Sequence, residues 1–105
     1  MAYQIAYSPD AERDLRYLAK RDEVLVRRSA VRDLAQEPAA PSRKRKRLDP
    51  NPLGVSWDLR LGDLRVFYDV EEEPVPRVRV QRIGRKDRER LFMRGAPVEM
   101  RTDGV

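Results

Sequence analysis

Arginine and lysine side chains alternate with apolar residues between Trp57 and Lys86, and this pattern is the strongest chemical signal in the chain. The segment reads WDLRLGDLRVFYDV, then a short acidic turn, then RVRVQRIGRK. Successive side chains of a strand point to opposite faces, so the pattern predicts an antiparallel sheet with one apolar and one cationic face. Such a cationic face can bind phosphate groups, because guanidinium and ammonium groups donate hydrogen bonds to phosphate oxygens.

A second group of cations is a continuous run ahead of these strands. It comprises Arg43, Lys44, Arg45, Lys46 and Arg47. The chain has 23 basic and 18 acidic residues and a net charge of +5, so this run accounts for the whole excess. A local run of cations favours a polyanionic partner through counterion release, although such a run can equally be a solvated linker.

The residue types that are missing exclude several classes of chemistry. The chain contains no cysteine and no histidine, so it has no disulfide, no thiolate nucleophile and no imidazole base or ligand. The carboxylates are scattered among basic partners and no glycine-rich phosphate loop precedes a helix, so we expect neither a metal nor an organic cofactor. No signal peptide and no apolar run of bilayer length is seen, and we therefore expect a cytoplasmic protein.

The elements that must position the cations begin with a strand and two helices. A strand over 3–7 is followed by Ser8 and Pro9, which predict an N-cap and the first residue of a helix over 9–19. The apolar stripe of this helix comprises Ala11, Leu15 and Leu18. Asp22 is expected to cap a second helix over 22–36, whose predicted buried residues are Val24, Ala30, Val31 and Leu34.

The other predicted strands lie in the remaining two thirds of the chain. Residues 38–54 are predicted to be an irregular connection, and strands are predicted over 55–61, 64–70 and 77–83, with Trp57 and Tyr68 in the core. Gly84 is expected to end the last strand before a short basic helix over 85–93.

These elements predict an α+β fold, with about four antiparallel strands and the helical hairpin packed on one face. In a chain of 105 residues this is one domain, over 1–93, followed by a flexible tail over 94–105. The opposite face of the sheet should collect Arg60, Arg65, Arg79 and Gln81, with Phe67 or Phe92 available for stacking.

Three segments together resemble toxins of the RelE/ParE superfamily of type II toxin–antitoxin systems. YQIAYSPDAERDLRYL resembles the opening strand and helix of that superfamily, and VQRIGRKDRERLF resembles its closing segment. WDLRLGDLRVFYDV resembles its central hairpin, often written W-R-L-R-x-G-x-Y-R-V-x-Y. The resemblance spans residues 3–92 and implies a RelE-like fold and a cognate antitoxin as partner.

The resemblance implies two activities on one fold. RelE-like members cut mRNA in the ribosomal A site, where a 2′-hydroxyl attacks its own 3′ phosphodiester and leaves a cyclic phosphate. ParE-like members poison DNA gyrase without catalysis. We expect the RelE type, with mRNA and the ribosome as partners. A non-catalytic nucleic-acid-binding relic of the fold is the third alternative.

Site residues follow from the resemblance position by position. Arg65 matches the arginine of the Y-R-V-x-Y strand and is the expected phosphate clamp, unless it pairs with Asp58 or Asp69. Arg60 is expected to contact the substrate backbone. Lys86 matches a functional arginine of the superfamily, and Arg85 matches a position where many members have histidine. Either residue could protonate the leaving group, or both could be solvated residues without a role in catalysis.

Two positions depart from the pattern of the superfamily. Phe92 matches a tyrosine that stacks on the substrate base. Phenylalanine keeps the aromatic ring for stacking and lacks the hydroxyl group. Alternatively, Phe92 packs onto the sheet as an anchor. Asp58 stands where many members carry a cation and either supplies a carboxylate base or, as we favour, neutralises Arg60 or Arg65. Lys46 could act as a base in principle, but anchoring of rRNA is favoured. The expected RNA-binding and rRNA-binding residues are Arg43, Lys44, Arg45, Lys46, Arg47, Arg79 and Arg88.

Overall fold

The computed structural model describes residues 2–48 and 53–98, and these form two helices and seven strands. In chain order the elements are β1 (Gln4–Tyr7), α1 (Pro9–Tyr17), α2 (Lys20–Leu34), β2 (Arg45–Arg47), β3 (Trp57–Leu61), β4 (Leu64–Glu71), β5 (Arg77–Asp87), β6 (Arg90–Met93) and β7 (Ala96–Val98). The predicted α+β class and the helical hairpin ahead of the sheet are confirmed. No helix within the described residues is long and apolar enough to cross a membrane.

The sheet has the strand order β2-β3-β4-β5-β6-β7, and each neighbouring pair is antiparallel. The first strand, β1, pairs in parallel with residues 77–80 of β5, whereas residues 85–87 of β5 pair with β6. The long strand β5 therefore changes its neighbour on one side half-way along its length.

The bulge in β5 decides which way the following side chains point. Tyr68 of β4 lies opposite Val80, but Phe67 lies opposite Arg82, so Gln81 is an extra residue on β5. A one-residue bulge reverses the alternation of faces along the rest of a strand. As a result, Ile83 and Arg85 lie on the helix-covered face and Lys86 lies on the opposite face.

The first helix begins where the sequence predicts, and the second begins two residues earlier. The Oγ of Ser8 accepts a hydrogen bond from the N–H of Ala11 at 3.0 Å, with Pro9 in the first turn. The prediction that Asp22 caps α2 is wrong, because α2 begins at Lys20 without a side-chain cap. The carboxylate of Asp22 instead accepts a hydrogen bond from Arg85 at 2.9 Å.

The main core lies between the helices and one face of the sheet. It includes Ala11 and Leu15 of α1 and Trp57 and Tyr68 of the sheet, as predicted. On α2 the buried stripe is Val26, Ala30 and Leu34, spaced four residues apart. Val31 is 62% exposed and Val24 is half-buried, so the prediction that Val31 is buried is wrong. Val31 lies about 100° around the helix from Ala30, outside that stripe.

The connection over 38–54 is not entirely irregular. Residues Arg45–Arg47 form β2, an edge strand that pairs with Trp57–Leu59. The guanidinium of Arg45 donates to the carbonyl oxygens of Ala40 and Asp33 at 2.8 and 3.0 Å, which ties this strand to the end of α2. Residues 49–52 of the predicted connection lie outside the described residues.

The predicted closing helix over 85–93 is wrong, because β5 runs through Gly84 to Asp87 and β6 follows. Gly84 is needed within β5, since a Cβ at this position would lie 2.8 Å from the carbonyl oxygen of Phe92. Arg94 and Gly95 have φ angles of 50° and 80° and form the turn into β7. Thus β7 occupies part of the predicted tail, and the tail residues 99–105 lie outside the described residues.

A smaller core covers part of the other sheet face. It consists of Val55, Phe67, Leu91 and Met93, with Leu48, Leu53 and Val98 packed against it. The β6–β7 hairpin and the segment before β3 supply most of these side chains. This face is therefore only partly open, and its cations lie beside an apolar wall.

Candidate nucleic-acid interface

A concavity of about 170 Å³ lies on the sheet face that the helices do not cover. Its lining residues are Leu48, Asp58, Arg60, Arg65, Phe67, Lys86 and Leu91. We call this concavity the open-face site. Three adjacent strands, β3, β4 and β5, each place one cation in it, namely Arg60, Arg65 and Lys86.

Arg60 and Arg65 lie directly opposite each other on β3 and β4. Like charges in this arrangement destabilise a sheet unless a counter-ion separates them. Asp58 supplies that counter-ion, because its Oδ2 lies 3.4 Å from Nε of Arg60 and 4.0 Å from Nε of Arg65. Both ion pairs are longer than a good charge-assisted hydrogen bond, which is about 2.7–2.9 Å.

The two arginines differ in how firmly they are held. Nη1 of Arg65 donates to the carbonyl oxygens of Gly62 and Leu64 at 2.7 and 2.9 Å. The side chain of Arg65 is 15% exposed, whereas that of Arg60 is 47% exposed. The hairpin turn therefore fixes the guanidinium of Arg65 in advance, and Arg60 is free to adapt to a ligand.

Asp58 is a buried charged group, and one of its oxygens is unpaired among the described residues. Its side chain is 6% exposed, and its Oδ1 is buried and has no hydrogen-bond partner within the part of the chain that the structure describes. Burial raises the pKa of Asp58, against the opposing effects of Arg65, Arg60 and Lys86. The ring of Phe67, directly opposite on β4, contributes to the apolar surroundings.

The predicted basic run does not act as one patch. Lys46 lies opposite Asp58 on β2 and shares its face, next to the open-face site. Arg45 is tied to Ala40 and Asp33, and the ammonium of Lys44 lies 3.6 Å from the carboxylate of Asp33. The guanidinium of Arg47 lies over the ring of Trp57, and Arg43 is exposed. One residue of the five thus adjoins the site.

Arg85 and Phe92 lie on the opposite side of the sheet from Arg65 and Lys86. They pair with each other across β5 and β6, and Arg85 also pairs with the core residue Leu64. The guanidinium of Arg85 donates to Asp22 and Asp63 at 2.9 and 2.8 Å. The structure therefore does not bring these two predicted site residues together with the open-face cations.

The other predicted RNA-binding residues are peripheral. Nε of Arg79 donates to the carboxylate of Glu71 at 3.0 Å, and this bond lowers the pKa of Glu71. Arg88 lies in the exposed turn between β5 and β6 with a φ angle of 60°. Neither residue lines the concavity.

One buried carboxylate, Asp14, was missed by the sequence analysis. It accepts hydrogen bonds from Nε of Arg82 at 2.8 Å and from the N–H of Ile83 at 2.9 Å, and Nε of Arg94 lies 3.1 Å away. Asp14 thus binds β5 at Arg82 and Ile83, between the residues that pair with β1 and those that pair with β6. Its spacing from Ala11 and Leu18 places it on the apolar stripe of α1, which is the signal that could have identified it.

The described residues contain no group of three carboxylates that could hold a metal ion. In the open-face site, three or four cations surround a single carboxylate, which suits a phosphate group that approaches from solvent.

Comparisons with known proteins bear on the family and the fold of the chain. Residues 5–90 match the family of the ParE toxin of the type II toxin–antitoxin system parDE. A chain of the toxin–antitoxin complex RelBE2 from Mycobacterium tuberculosis superposes with a TM-score of 0.69 at 28% identity, over 82% of this chain and 100% of that one. No curated protein gives a significant match. The chain therefore belongs to the ParE toxin family, within the RelE/ParE superfamily of type II toxins.

Proposed function

We propose that this toxin is a ribosome-dependent mRNA endoribonuclease that acts in the cytoplasm and uses the open-face site. The observation that supports this most is the convergence of Arg60, Arg65 and Lys86 from three adjacent strands on one concavity. A single-stranded phosphodiester placed there meets several cations and an apolar wall. That combination suits a nucleotide, whose base is apolar on its faces and whose phosphate is anionic.

The proposed reaction needs charge stabilisation first. When the 2′-oxygen attacks phosphorus, negative charge develops on the non-bridging oxygens of the phosphorane. Arg65 is suited to this charge, because two backbone carbonyls already fix its guanidinium and no reorganisation is needed. Arg60, which is more exposed, would follow the phosphate into position.

The reaction also moves two protons. The 2′-hydroxyl gives up one proton as its oxygen bonds to phosphorus, and the 5′-oxygen accepts one as its bond to phosphorus breaks. Lys86 is on the face of Arg65, whereas Arg85 is not, so we assign the proton donor to Lys86. Lys46 lies on the same face through its register with Asp58 and contacts the RNA backbone as a cation, and the proton of the 2′-hydroxyl passes to solvent water.

The test is primer extension on translated mRNA after induced expression of the wild type and of Arg65→Ala. We expect codon-phased cuts from the wild type and a loss of about 10²–10³-fold in cleavage rate for the variant, as for removal of other preorganised donors. Thermal unfolding of both proteins checks that the variant folds. If codon-phased cuts are absent and Arg65→Ala is equally toxic, the nuclease proposal fails.

A non-catalytic gyrase inhibitor is the second candidate. It is favoured by the position of Arg85 and Phe92 on the far face and by the Asp58 carboxylate between the site's arginines. This function predicts SOS induction and trapped gyrase–DNA complexes instead of a translation block. A nucleic-acid-binding relic of the fold would not inhibit growth when expressed without a partner.

An antitoxin is the proposed protein partner, since the similar structure is a toxin–antitoxin complex. An acidic antitoxin segment would complement the cations of the open-face site. Because β6 replaces the predicted closing helix, an antitoxin cannot inhibit this toxin by displacing such a helix. Coexpression with the candidate antitoxin should restore growth, and the purified complex should not bind RNA at the open-face site.

A further inference from the structure

The Asp58 carboxylate is incompletely stabilised in its ionised form. Its Oδ1 has no hydrogen-bond partner within the described residues, and its Oδ2 is shared between two guanidinium groups at 3.4 and 4.0 Å. An isolated buried carboxylate is strongly disfavoured unless charges and hydrogen bonds compensate. Here charges compensate, but good hydrogen bonds do not.

The compensating charges come from every strand around Asp58. They are Lys46 of β2, Arg60 of β3, Arg65 of β4 and Lys86 of β5. A phosphodiester that binds to these cations takes up their hydrogen bonds and places a second anion beside Asp58. Two anions that share one set of cations in a poorly hydrated site favour protonation of the weaker acid. A phosphodiester is strongly acidic and stays ionised, so the proton goes to the carboxylate.

We propose that binding of an RNA phosphodiester at the open-face site is coupled to uptake of one proton by Asp58. This inference rests on the proposed function, because it takes the open-face site as the RNA site. In the bound state the carboxyl group is neutral, both guanidinium groups are released to the phosphate, and the carboxyl O–H can donate to a phosphate oxygen. The protonation state of Asp58 then controls the affinity for RNA, in addition to the role of its carboxylate as a counter-ion in the free protein.

The direction of the pH dependence follows. Burial already raises the pKa of Asp58 in the free protein, and a bound phosphodiester raises it further. Between the free and bound pKa values, RNA affinity should fall by about tenfold for each unit of pH increase, since each complex holds one extra proton. Above the pKa that Asp58 has in the complex, its ionisation should no longer change the RNA affinity.

The experiment is titration calorimetry with a 2′-O-methyl RNA oligonucleotide, whose methylated 2′-oxygens cannot attack the phosphodiester. Binding is measured at several pH values in buffers with different ionisation enthalpies, so that proton uptake is obtained directly. We expect uptake by the wild type and none by Asp58→Asn, which should bind at least about tenfold tighter at the upper end of the pH range. Asp87→Asn is the matched control, because it removes the same charge at an exposed position next to Lys86. It should retain the proton uptake of the wild type.

The outcomes separate this inference from the proposed function. Unchanged proton uptake by Asp58→Asn would overturn the coupling and leave the RNA site intact. No binding by the wild type would overturn the coupling and leave the proposed function to the primer-extension assay, whereas binding that Lys86→Ala does not weaken would overturn both. Carbon-13 carboxyl NMR of the wild type needs no variant. The Asp58 signal should shift toward that of a neutral carboxyl group when RNA is added, and a signal that stays ionised would contradict the coupling.

Discussion

Asp14 and Asp58 are both buried aspartates, with 1% and 4% of the whole residue exposed, but their environments differ. Asp14 accepts from two nitrogens of Arg82 and from a backbone N–H, with Arg94 also in contact, all within 3.1 Å. Asp58 has two long ion pairs and an Oδ1 with no described partner. The first carboxylate joins α1 to the sheet, and the second lies in a concavity among cations.

This difference separates a structural charge from a candidate functional one. A buried charge that is fully hydrogen-bonded holds its surroundings in one arrangement, and its removal leaves the partners uncompensated. A buried charge that lacks hydrogen bonds can change its protonation state or its partners with a smaller loss. We therefore expect substitutions of Asp14 to affect folding and substitutions of Asp58 to affect binding.

The largest expected effect on stability is that of Asp14→Ala. The variant leaves Arg82, Arg94 and the N–H of Ile83 without their acceptor, and we expect it to lower the free energy of unfolding by about 3–5 kcal/mol. Chemical denaturation measures this change. Asp10→Ala, at an exposed ion pair of the same helix, is the control and should change stability by less than about 1 kcal/mol. Equal effects of the two substitutions would remove the distinction between Asp14 and an ordinary surface carboxylate.

Gly84→Ala tests the β6–β7 hairpin, which lies against the open-face site. A Cβ at this position would meet the carbonyl oxygen of Phe92 at 2.8 Å, so β6 must move. We expect a loss of about 1–3 kcal/mol, which is typical of overpacking, and faster amide exchange in β6. If amide exchange in β6 is unchanged, then β6 does not require the close approach of Phe92 to Gly84.

Asp58→Asn should change stability by less than about 1 kcal/mol near pH 4, because no good hydrogen bond is lost. The folded-state pKa of Asp58 is raised, so its contribution to stability is present at low pH and is lost as pH rises through that pKa. The asparagine variant has no such loss. Its stability relative to the wild type should therefore increase with pH and then level off. Denaturation at a series of pH values checks this, and a difference that falls with pH would contradict the raised pKa.

The smallest expected effect is that of Arg79→Ala. This arginine already pairs with Glu71 near the other end of the sheet, and an exposed ion pair contributes little. RNA affinity should change much less than with Lys86→Ala in the same salt, as fluorescence titration would show. Comparable losses in both variants would extend the RNA-binding surface along the whole face.

The local features of the fold could be predicted from the sequence. Ser8 and Pro9 mark the start of α1, the alternation from Trp57 to Val70 predicts two strands, and Gly62 with Asp63 marks the turn between them. Each of these depends on neighbours in the chain, so the pattern is sufficient. The spacing of Asp14 along α1 places it on the apolar stripe, but its partners Arg82 and Arg94 lie about 70 and 80 residues away, and no local pattern indicates them.

The end of the chain shows why part of the site could not be predicted. Residues 85–93 are rich in arginine, lysine and glutamate, which favour a helix, but pairing with β5 and the burial of Leu91 and Met93 override that preference. The bulge at Gln81 then reverses the faces that simple alternation assigns to Arg85 and Lys86. A bulge depends on contacts between strands and has no clear sequence signal here.

The most direct test of the central claim compares Lys86→Ala with Arg85→Ala in the primer-extension assay. These adjacent cations differ in one respect that matters here, because the bulge places Lys86 on the face of Arg65 and Arg85 on the face of the helices. We predict that Lys86→Ala lowers codon-phased cleavage by about 10²–10⁴-fold, as expected for loss of a general acid, and that folded Arg85→Ala still cleaves. Cleavage that persists in Lys86→Ala and disappears in folded Arg85→Ala would contradict the open-face site.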